Sequence, residues 1–115
     1  MKNISLFIIA KNEGDKIGAC IESAKGICSE IIVCDSGSND NTVEVAEKLG
    51  AKVIQHEFIG FADQKNYALN ACTGKWALSL DADETLSQKL AEEIAAIPED
   101  TQYNGFDIHR INYFL

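Results

Sequence analysis

Short apolar runs alternate with stretches of helical periodicity along the chain, and this alternation is the feature that most constrains its fold. Residues 4–10, 30–34 and 76–80 are predicted to be buried strands. A short strand is predicted at 51–55 and a half-exposed strand at 105–115. Between the first two runs, apolar residues recur at i, i+3, i+4 and i+7 from Ile17, which is typical of an amphipathic helix. The order β-α-β-α-β-α-β-α-β predicts an α/β domain of three layers (α/β/α), with a mostly parallel sheet and right-handed crossovers.

Capping signals bound two of the predicted helices. Asn41, with Glu44 three residues later, predicts a capping box at the start of the second helix. Thr85, with Gln88 three residues later, is predicted to cap the fourth helix, which Pro98 stops. No linker, internal repeat or low-complexity segment divides the chain, so we expect one domain.

The predicted strands end at polar residues, and in a parallel sheet these ends meet at one edge. Asn12 and Glu13 follow the first strand, Asp35 the second, and Asp81 and Asp83 the fourth. Ligands of open α/β sheets bind at this edge, where the strand order reverses. Acids at the tip of a buried strand are costly unless a cation lies there, and oxygen ligands favour Mg²⁺ or Mn²⁺. We therefore predict a divalent-metal site; the alternative is a surface turn whose acids face water.

Composition narrows the classes of partner. The formal net charge of −8 argues against nucleic acid and anionic membrane surfaces as main partners, and an acidic protein that handles a phosphorylated small molecule needs a metal to offset like charge. The apolar run 4–10 is too short for a signal peptide or a membrane span, so we expect a cytoplasmic protein. The cysteines form no C-x-x-C pair and are predicted to be reduced thiols: Cys20, Cys28, Cys34 and Cys72.

Four segments, in one order along the chain, carry a family resemblance: Lys-Asn-Glu at 11–13, Ile-Val-Cys-Asp-Ser-Gly-Ser-Asn-Asp-Asn-Thr at 32–42, Gln-Lys-Asn-Tyr-Ala-Leu with the following Ala-Cys-Thr-Gly-Lys-Trp at 64–76, and Leu-Asp-Ala-Asp-Glu at 80–84. From about Ile4 to Thr85 the chain resembles the family 2 glycosyltransferases, which have the GT-A nucleotide-sugar-binding fold. Within that family it looks most like the branch that adds sugars to bacterial lipopolysaccharide cores.

At the base-binding end of the site, the resemblance implies three residues. Asp35 would accept a hydrogen bond from the nucleobase, and Asn12 and Glu13 would line the base pocket. Ser36 departs from the family pattern, because many members have a second Asp at that position. Base and ribose contacts that the family makes there are therefore not transferred to this chain.

At the other end, the resemblance implies a D-x-D metal motif. Asp83 would coordinate Mg²⁺ or Mn²⁺ that bridges the diphosphate of a nucleotide-diphospho-sugar donor, and Asp81 would lie beside the ribose and the metal. Lys65 would approach the diphosphate. The implied reaction is metal-dependent, hexosyltransferase-like transfer with inversion to a glycan or lipid-linked acceptor.

The resemblance also implies that residues 1–115 are the truncated, nucleotide-sugar-binding N-terminal portion of a transferase domain. The acceptor-binding part is expected to be absent, with the general base beyond Leu115 and no catalytic residue before it. Glu84 is adjacent to the metal motif but would lie on the wrong side of the sugar. We therefore expect this portion alone to be inactive. Peripheral association of the full-length protein with the inner membrane and formation of a homodimer are left open.

Other functions fit parts of the pattern. Residues 78–86 also match the D-x-D-x-T pattern of haloacid-dehalogenase-like phosphatases, in which Asp81 would be the nucleophile and Asp83 the general acid. That motif normally opens its domain, whereas three predicted strands precede it here. A non-catalytic nucleotide-binding module is a second alternative. A dinucleotide-dependent oxidoreductase is disfavoured, because no G-x-G-x-x-G follows the first strand.

Some aromatic residues near the predicted site have no assigned role. Phe58, Phe61 and Tyr67 are predicted to lie near the pocket, and the sequence does not decide whether they pack beside it or line it. His56 and His109 have no partner at ligand spacing, so surface or core positions are predicted for both.

Overall fold

The computed structural model of the chain describes residues 3–97 and 109–111. Its strands are β1 (Ile4–Ala10), β2 (Glu30–Asp35), β3 (Lys52–Gln55), β4 (Trp76–Asp81) and β5 (His109–Ile111). The helices between them are α1 (Ile17–Lys25), α2 (Thr42–Lys48), α3 (Phe61–Ala71) and α4 (Gln88–Ala95). The predicted alternation of strands and helices is confirmed, and the rest of the predicted strand 105–115 lies outside the described residues.

All strand pairs in the sheet are parallel, and the spatial order is β3-β2-β1-β4-β5. The chain first builds outward from β1 to β3 and then returns to place β4 on the other side of β1. The strand order therefore reverses at β1. Ala10 is paired with Asp35, and Ile9 with Asp81, so the carboxyl ends of β1, β2 and β4 lie level at one edge.

Helices cover both faces of the sheet, as the predicted three-layer architecture requires. Side chains alternate between the two faces along β1: Ile4, Leu6 and Ile8 belong to the larger core cluster, with apolar residues of α1, α2 and α4. Phe7 points to the other face and belongs to a smaller cluster with Ala68 of α3. Both faces are thus buried, which explains why β1 is a continuous apolar run.

The predicted caps of α2 and α4 are both wrong. Asn41 precedes α2 with φ −87° and ψ 18°, outside the extended conformation of a helix cap, and its side chain caps no backbone N–H. The Asp40 carboxylate accepts from the Thr42 backbone N–H instead, at 3.0 Å. α4 is capped by Ser87, two residues after the predicted Thr85, through a 3.1 Å bond from the Leu90 N–H to the Ser87 hydroxyl.

The four cysteines are free thiols, as predicted, and three of them are buried. Burial raises the pKa of Cys28 to about 12, so this thiol stays protonated at neutral pH. Among the described residues, no helix combines the length and the hydrophobicity needed to span a bilayer.

Candidate functional site

A cleft of about 700 Å³ opens at the edge of the sheet where the strands end. Its walls are the end of β1, Ser36 after β2, the connection from β3 into α3, and the turn after β4. The cleft therefore lies where the strand order reverses, which is the expected position for a ligand in this architecture.

The cleft brings together four of the residues that the sequence singled out. Glu13, Lys65, Asp81 and Asp83 all line it, although they come from three separate segments of the chain. Asn12 and Asp35 are not among its lining residues, and Ser36 takes the place beside the cleft at the end of β2. The individual ligand contacts assigned to all six residues stay predictions.

The turn after β4 holds its backbone tightly while leaving two carboxylates outward. Glu84 closes the turn, because its carboxylate accepts from the Asp81 N–H at 2.7 Å and its own N–H donates to the Asp81 carbonyl at 2.9 Å. Ala82 is buried between the two exposed aspartates. Within residues 3–97, no hydrogen bond or ion pair reaches the carboxylate oxygens of Asp81 or Asp83. Both are thus available to a ligand from outside.

Cys20 lies beside this turn, and the charges of the turn affect the pKa of its thiol. Its thiol donates to the Asp81 carbonyl at 3.4 Å. Burial, and then the negative charges of Glu84, Asp81 and Asp83, raise the pKa of Cys20 to about 12. The three acids therefore place a negative potential at this end of the cleft, which favours a cation.

The donor set suits a hard divalent ion that shares its coordination with a substrate. In the described part of the chain, no three side chains of His, Cys, Asp or Glu are grouped as a metal-binding cluster. Two carboxylates are enough for Mg²⁺ or Mn²⁺, because such ions are commonly held by one or two carboxylates together with substrate phosphates and water. Asp81 and Asp83 fit that pattern.

Asp35 ends its strand in a different setting. It is fully buried, and its carboxylate accepts hydrogen bonds from the backbone N–H groups of Gly37 and Ser38, from the Ser38 hydroxyl and from the Gln55 amide. Burial alone would raise the pKa of Asp35, but these hydrogen bonds outweigh it, and the pKa lies below its ordinary value. Gly37 adopts φ +86°, which lets the turn fold back over the carboxylate.

The turn after β2 is fastened to the loop after β1. The Asn12 N–H donates to the Ser38 hydroxyl at 2.8 Å, and the Asn12 side-chain oxygen accepts from the Asn39 N–H at 2.7 Å. The Glu13 N–H donates to the Thr42 hydroxyl at 2.9 Å. Asn12 holds a left-handed backbone conformation, with φ +53°, to make these bonds. Asn12 therefore holds together the two loops at the edge of the cleft without lining the cleft itself.

Gly14 completes this junction by close approach. Its N–H donates to the Asp40 carboxylate at 3.1 Å, and a Cβ atom at position 14 would lie 1.9 Å from the side-chain oxygen of Asn41. A side chain at residue 14 would therefore have to displace the exposed side chain of Asn41.

His56 has partners that the sequence analysis missed. Its Nε2 lies 2.8 Å from a carboxylate oxygen of Asp63, and its ring stacks on Tyr67 with the centroids 3.8 Å apart. The sequence left open whether Tyr67 lines the pocket or packs beside it. Tyr67 packs on His56 and does not line the cleft. His56 sits at the end of a strand and its partners on the next helix, so no local spacing in the sequence marks the contact.

The sequence matches the family model described as Glycosyl transferase family 2 over residues 5–115. The chain belongs to glycosyl transferase family 2. This membership sets aside the haloacid-dehalogenase-like phosphatase, and the D-x-D residues 81–83 lie within the matched region.

Similar proteins described as glycosyltransferases agree with this membership. The chain is 50% identical over 97 residues to an uncharacterized glycosyltransferase of Rickettsia felis, a match that covers 84% of this chain and 34% of the relative. It is 37% identical over 94 residues to the lipopolysaccharide core biosynthesis glycosyltransferase LpsC of Rhizobium meliloti, covering 77% of this chain and 34% of LpsC. The chain thus spans about a third of the length of the curated relatives it matches.

Solved structures of glycosyltransferases share the fold of this chain. Glucosyl-3-phosphoglycerate synthase from Mycobacterium tuberculosis, in complex with uridine diphosphate, superposes with a TM-score of 0.65 at 28% identity, covering 72% of this chain and 34% of the synthase. The same enzyme in complex with Mn²⁺, uridine diphosphate and glucosyl-3-phosphoglycerate gives a TM-score of 0.64 at 26% identity, covering 73% and 36%. The GT-A fold expected from the sequence is confirmed.

Proposed function

We propose that the cleft binds a nucleotide-diphospho-sugar together with Mg²⁺ or Mn²⁺, as the donor site of an inverting family 2 glycosyltransferase. One observation carries the proposal: Asp81 and Asp83 line a cleft at the point where the strand order reverses, and no group in the described residues occupies their carboxylates. Mn²⁺ and uridine diphosphate are present together in a solved structure with the same fold.

The acidic turn and α3 would act on the diphosphate. Asp83, with Asp81 beside it, would hold the metal, and Lys65 on α3 would add a positive charge from another wall of the cleft. When bound, the metal supplies Lewis-acid stabilisation of the nucleoside diphosphate as it leaves. The closed turn made by Glu84 holds the backbone that carries both aspartates before the ligand arrives, so only their side chains have to adjust.

The ends of β1 and β2 would hold the nucleoside. Glu13 and Ser36 line the cleft there, and Asn12 and Asp35 fix the backbone that presents them. The base contact of Asp35 is retained as part of the proposal. Because its carboxylate already accepts four hydrogen bonds, a base N–H would have to share an oxygen with the turn.

The acceptor, the general base and the cellular setting are finer parts of the same proposal. We infer a glycan or lipid-linked acceptor, and a lipopolysaccharide core in particular, from the similarity to LpsC. Residues 1–115 would be the nucleotide-sugar-binding portion, and the general base and acceptor-binding part would lie outside them. We place the protein in the cytoplasm, with peripheral association of the full-length protein at the inner membrane, and retain a homodimer as the state to test by sedimentation.

The metal–nucleotide site is tested by thermal shift and isothermal titration calorimetry with uridine diphosphate. Ligand that binds only the folded state raises the melting temperature, so uridine diphosphate is expected to do so with Mn²⁺ present and not with EDTA. Asp83→Asn removes a ligand to the metal and is expected to weaken binding at least about tenfold.

Glu47→Gln is the matched control, because it also removes one exposed carboxylate but lies on α2, away from the cleft. It is expected to bind as the unaltered protein does. A shift that persists in EDTA, or equal binding by Asp83→Asn and Glu47→Gln, would contradict the proposed metal site.

A further inference from the structure

The connection from β3 into α3 exposes an unusual amount of apolar surface. The large hydrophobic side chains that are exposed within residues 3–97 all come from this connection and the helix after it: Phe58 (44%), Ile59 (73%), Phe61 (73%) and Tyr67 (42%). Contiguous exposed apolar surface is typical of binding sites. Tyr67 is engaged by His56, which leaves the segment 58–61 to be explained.

Phe58 and Phe61 differ from Ile59 in where they lie. Both phenylalanines line the cleft, and Ile59 does not. Their ring centroids are 5.0 Å apart with the planes at 78°, an edge-to-face contact that holds each ring against the other. We call this pair the aromatic wall. The two rings are the aromatic side chains among the residues that line the cleft.

The order of the strands places Phe58 away from the metal end. Phe58 follows β3, which lies beyond β2, whereas the acids follow β4 on the other side of β1. Phe61 begins α3, which packs on β1 and β2. A ligand that fills the cleft therefore meets negative charge on the β4 side and aromatic surface on the β3 side.

A nucleoside diphosphate has the same asymmetry. Its diphosphate is charged and suits a metal held by Asp81 and Asp83, while its base is flat, uncharged and able to stack on an aromatic ring. We propose that the aromatic wall stacks on the nucleobase of the donor. This contact would set how much tighter a nucleoside diphosphate binds than a diphosphate without a base. This inference rests on the proposed function and assigns to Phe58 and Phe61 a contact that the motif residues do not supply.

The segment that carries the wall is anchored on both sides. The His56 N–H donates to the Asp35 carbonyl at 3.0 Å, and the His56 carbonyl accepts from the buried Gln64 side chain at 3.2 Å. The His56 ring is also fixed by Asp63 of α3. Gly60, with φ +151°, then turns the chain into α3. The backbone that carries the rings is thus held on both sides before a ligand binds, which reduces the entropy lost on stacking.

The test compares two probes, uridine diphosphate and inorganic pyrophosphate, each titrated calorimetrically with Mn²⁺. Pyrophosphate carries the charged end of the ligand without a base. Because the two ring planes are 78° apart, one ring presents its face to the base and the other supports that ring by its edge. Phe58→Ala and Phe61→Ala are therefore each expected to weaken uridine diphosphate binding about tenfold and to change pyrophosphate binding less than about twofold. Phe58→Tyr keeps an aromatic face and is expected to retain binding.

Ile59→Ala is the control, because it removes an equally exposed apolar side chain of the same segment that does not face the cleft. It is expected to change neither affinity. Equal losses for both probes, or no loss with either phenylalanine variant, overturn the stacking role. Failure of the unaltered protein to bind either probe with Mn²⁺ overturns the proposed function itself, which is a separate outcome.

Discussion

The acids at the ends of β2 and β4 look alike in the sequence and behave differently in the fold. Asp35 is fully buried and accepts hydrogen bonds from two backbone N–H groups and two side chains. Asp81 and Asp83 are exposed, and within residues 3–97 nothing bonds to their carboxylates. One strand end has its charge satisfied by the protein, and the other presents its charge to the solvent.

This difference separates an acid that stabilises the fold from acids that the proposed function assigns to the ligand. A buried carboxylate with several donors stabilises the folded state, because removing it leaves those donors without partners. Exposed carboxylates contribute little to folding, and the proposed metal site would account for the placement of Asp81 and Asp83. Position at a strand end predicts that an acid lies at the functional edge. The number of partners within the protein indicates which role it has there.

The largest expected effect is on the β2 side. Asp35→Ala leaves the N–H of Ser38 and the amide of Gln55 without their acceptor, and it leaves the Gly37 N–H with only its 3.2 Å bond to the Gln55 side-chain oxygen. We expect the free energy of unfolding to fall by about 2–3 kcal/mol, measured by urea denaturation. Asp15→Ala, which removes an exposed aspartate, is expected to change it by less than about 0.5 kcal/mol. Similar values for the two variants would remove the distinction between the strand ends.

A smaller effect is expected in the dependence of stability on pH. The pKa of Asp35 is lowered in the folded protein, so its ionised form stabilises the fold above the ordinary aspartate pKa of about 3.9. This contribution declines as the pH falls below that value and is lost once the pH passes below the folded-state pKa. The difference in unfolding free energy between the unaltered protein and Asp35→Asn is therefore expected to shrink from about pH 6 to about pH 3.

Other acids also titrate in that range, but they are common to both proteins and cancel in the difference. Glu30 is one of them: burial opposes ionisation, yet hydrogen bonds from Ser5 and Thr73 lower its pKa. A difference that stays constant with pH would mean that the Asp35 charge does not contribute to the fold.

The smallest expected effect on stability is on the β4 side. Asp83→Asn removes an exposed charge with no partner in residues 3–97, so we expect the unfolding free energy in metal-free buffer to change by less than about 0.5 kcal/mol. The measurement is urea denaturation in EDTA. A loss as large as that of Asp35→Ala would show that Asp83 is structural, and the comparison between the strand ends would fail.

Much of the fold follows from the sequence because it is encoded locally. Continuous apolar runs located β1 and β2 within a residue, since strands buried on both faces need no polar alternation. The parallel sheet followed from the alternation of elements. The cap of α4 was misplaced by two residues, because Thr85 and Ser87 are both acceptable caps and only the backbone conformation at Ser87 decides between them.

The site was predictable as a location and less so as a set of roles. The gathering of Glu13 and the two D-x-D aspartates follows from where the strands end, whereas Lys65, within α3, was expected only from the family resemblance. The pairing of His56 with Asp63 could not be predicted from the sequence, because it joins a strand end to a helix across a connection whose shape the sequence does not define. The saturation of Asp35 likewise depends on Gln55, which the parallel pairing of β2 and β3 brings alongside it.

The junction at Gly14 has a consequence for protein engineering. The loops after β1 and β2 share hydrogen bonds, and a side chain at residue 14 would displace that of Asn41. Exchanging one loop alone would remove these shared bonds. A graft that carries both loops from one parent is therefore expected to keep the junction intact.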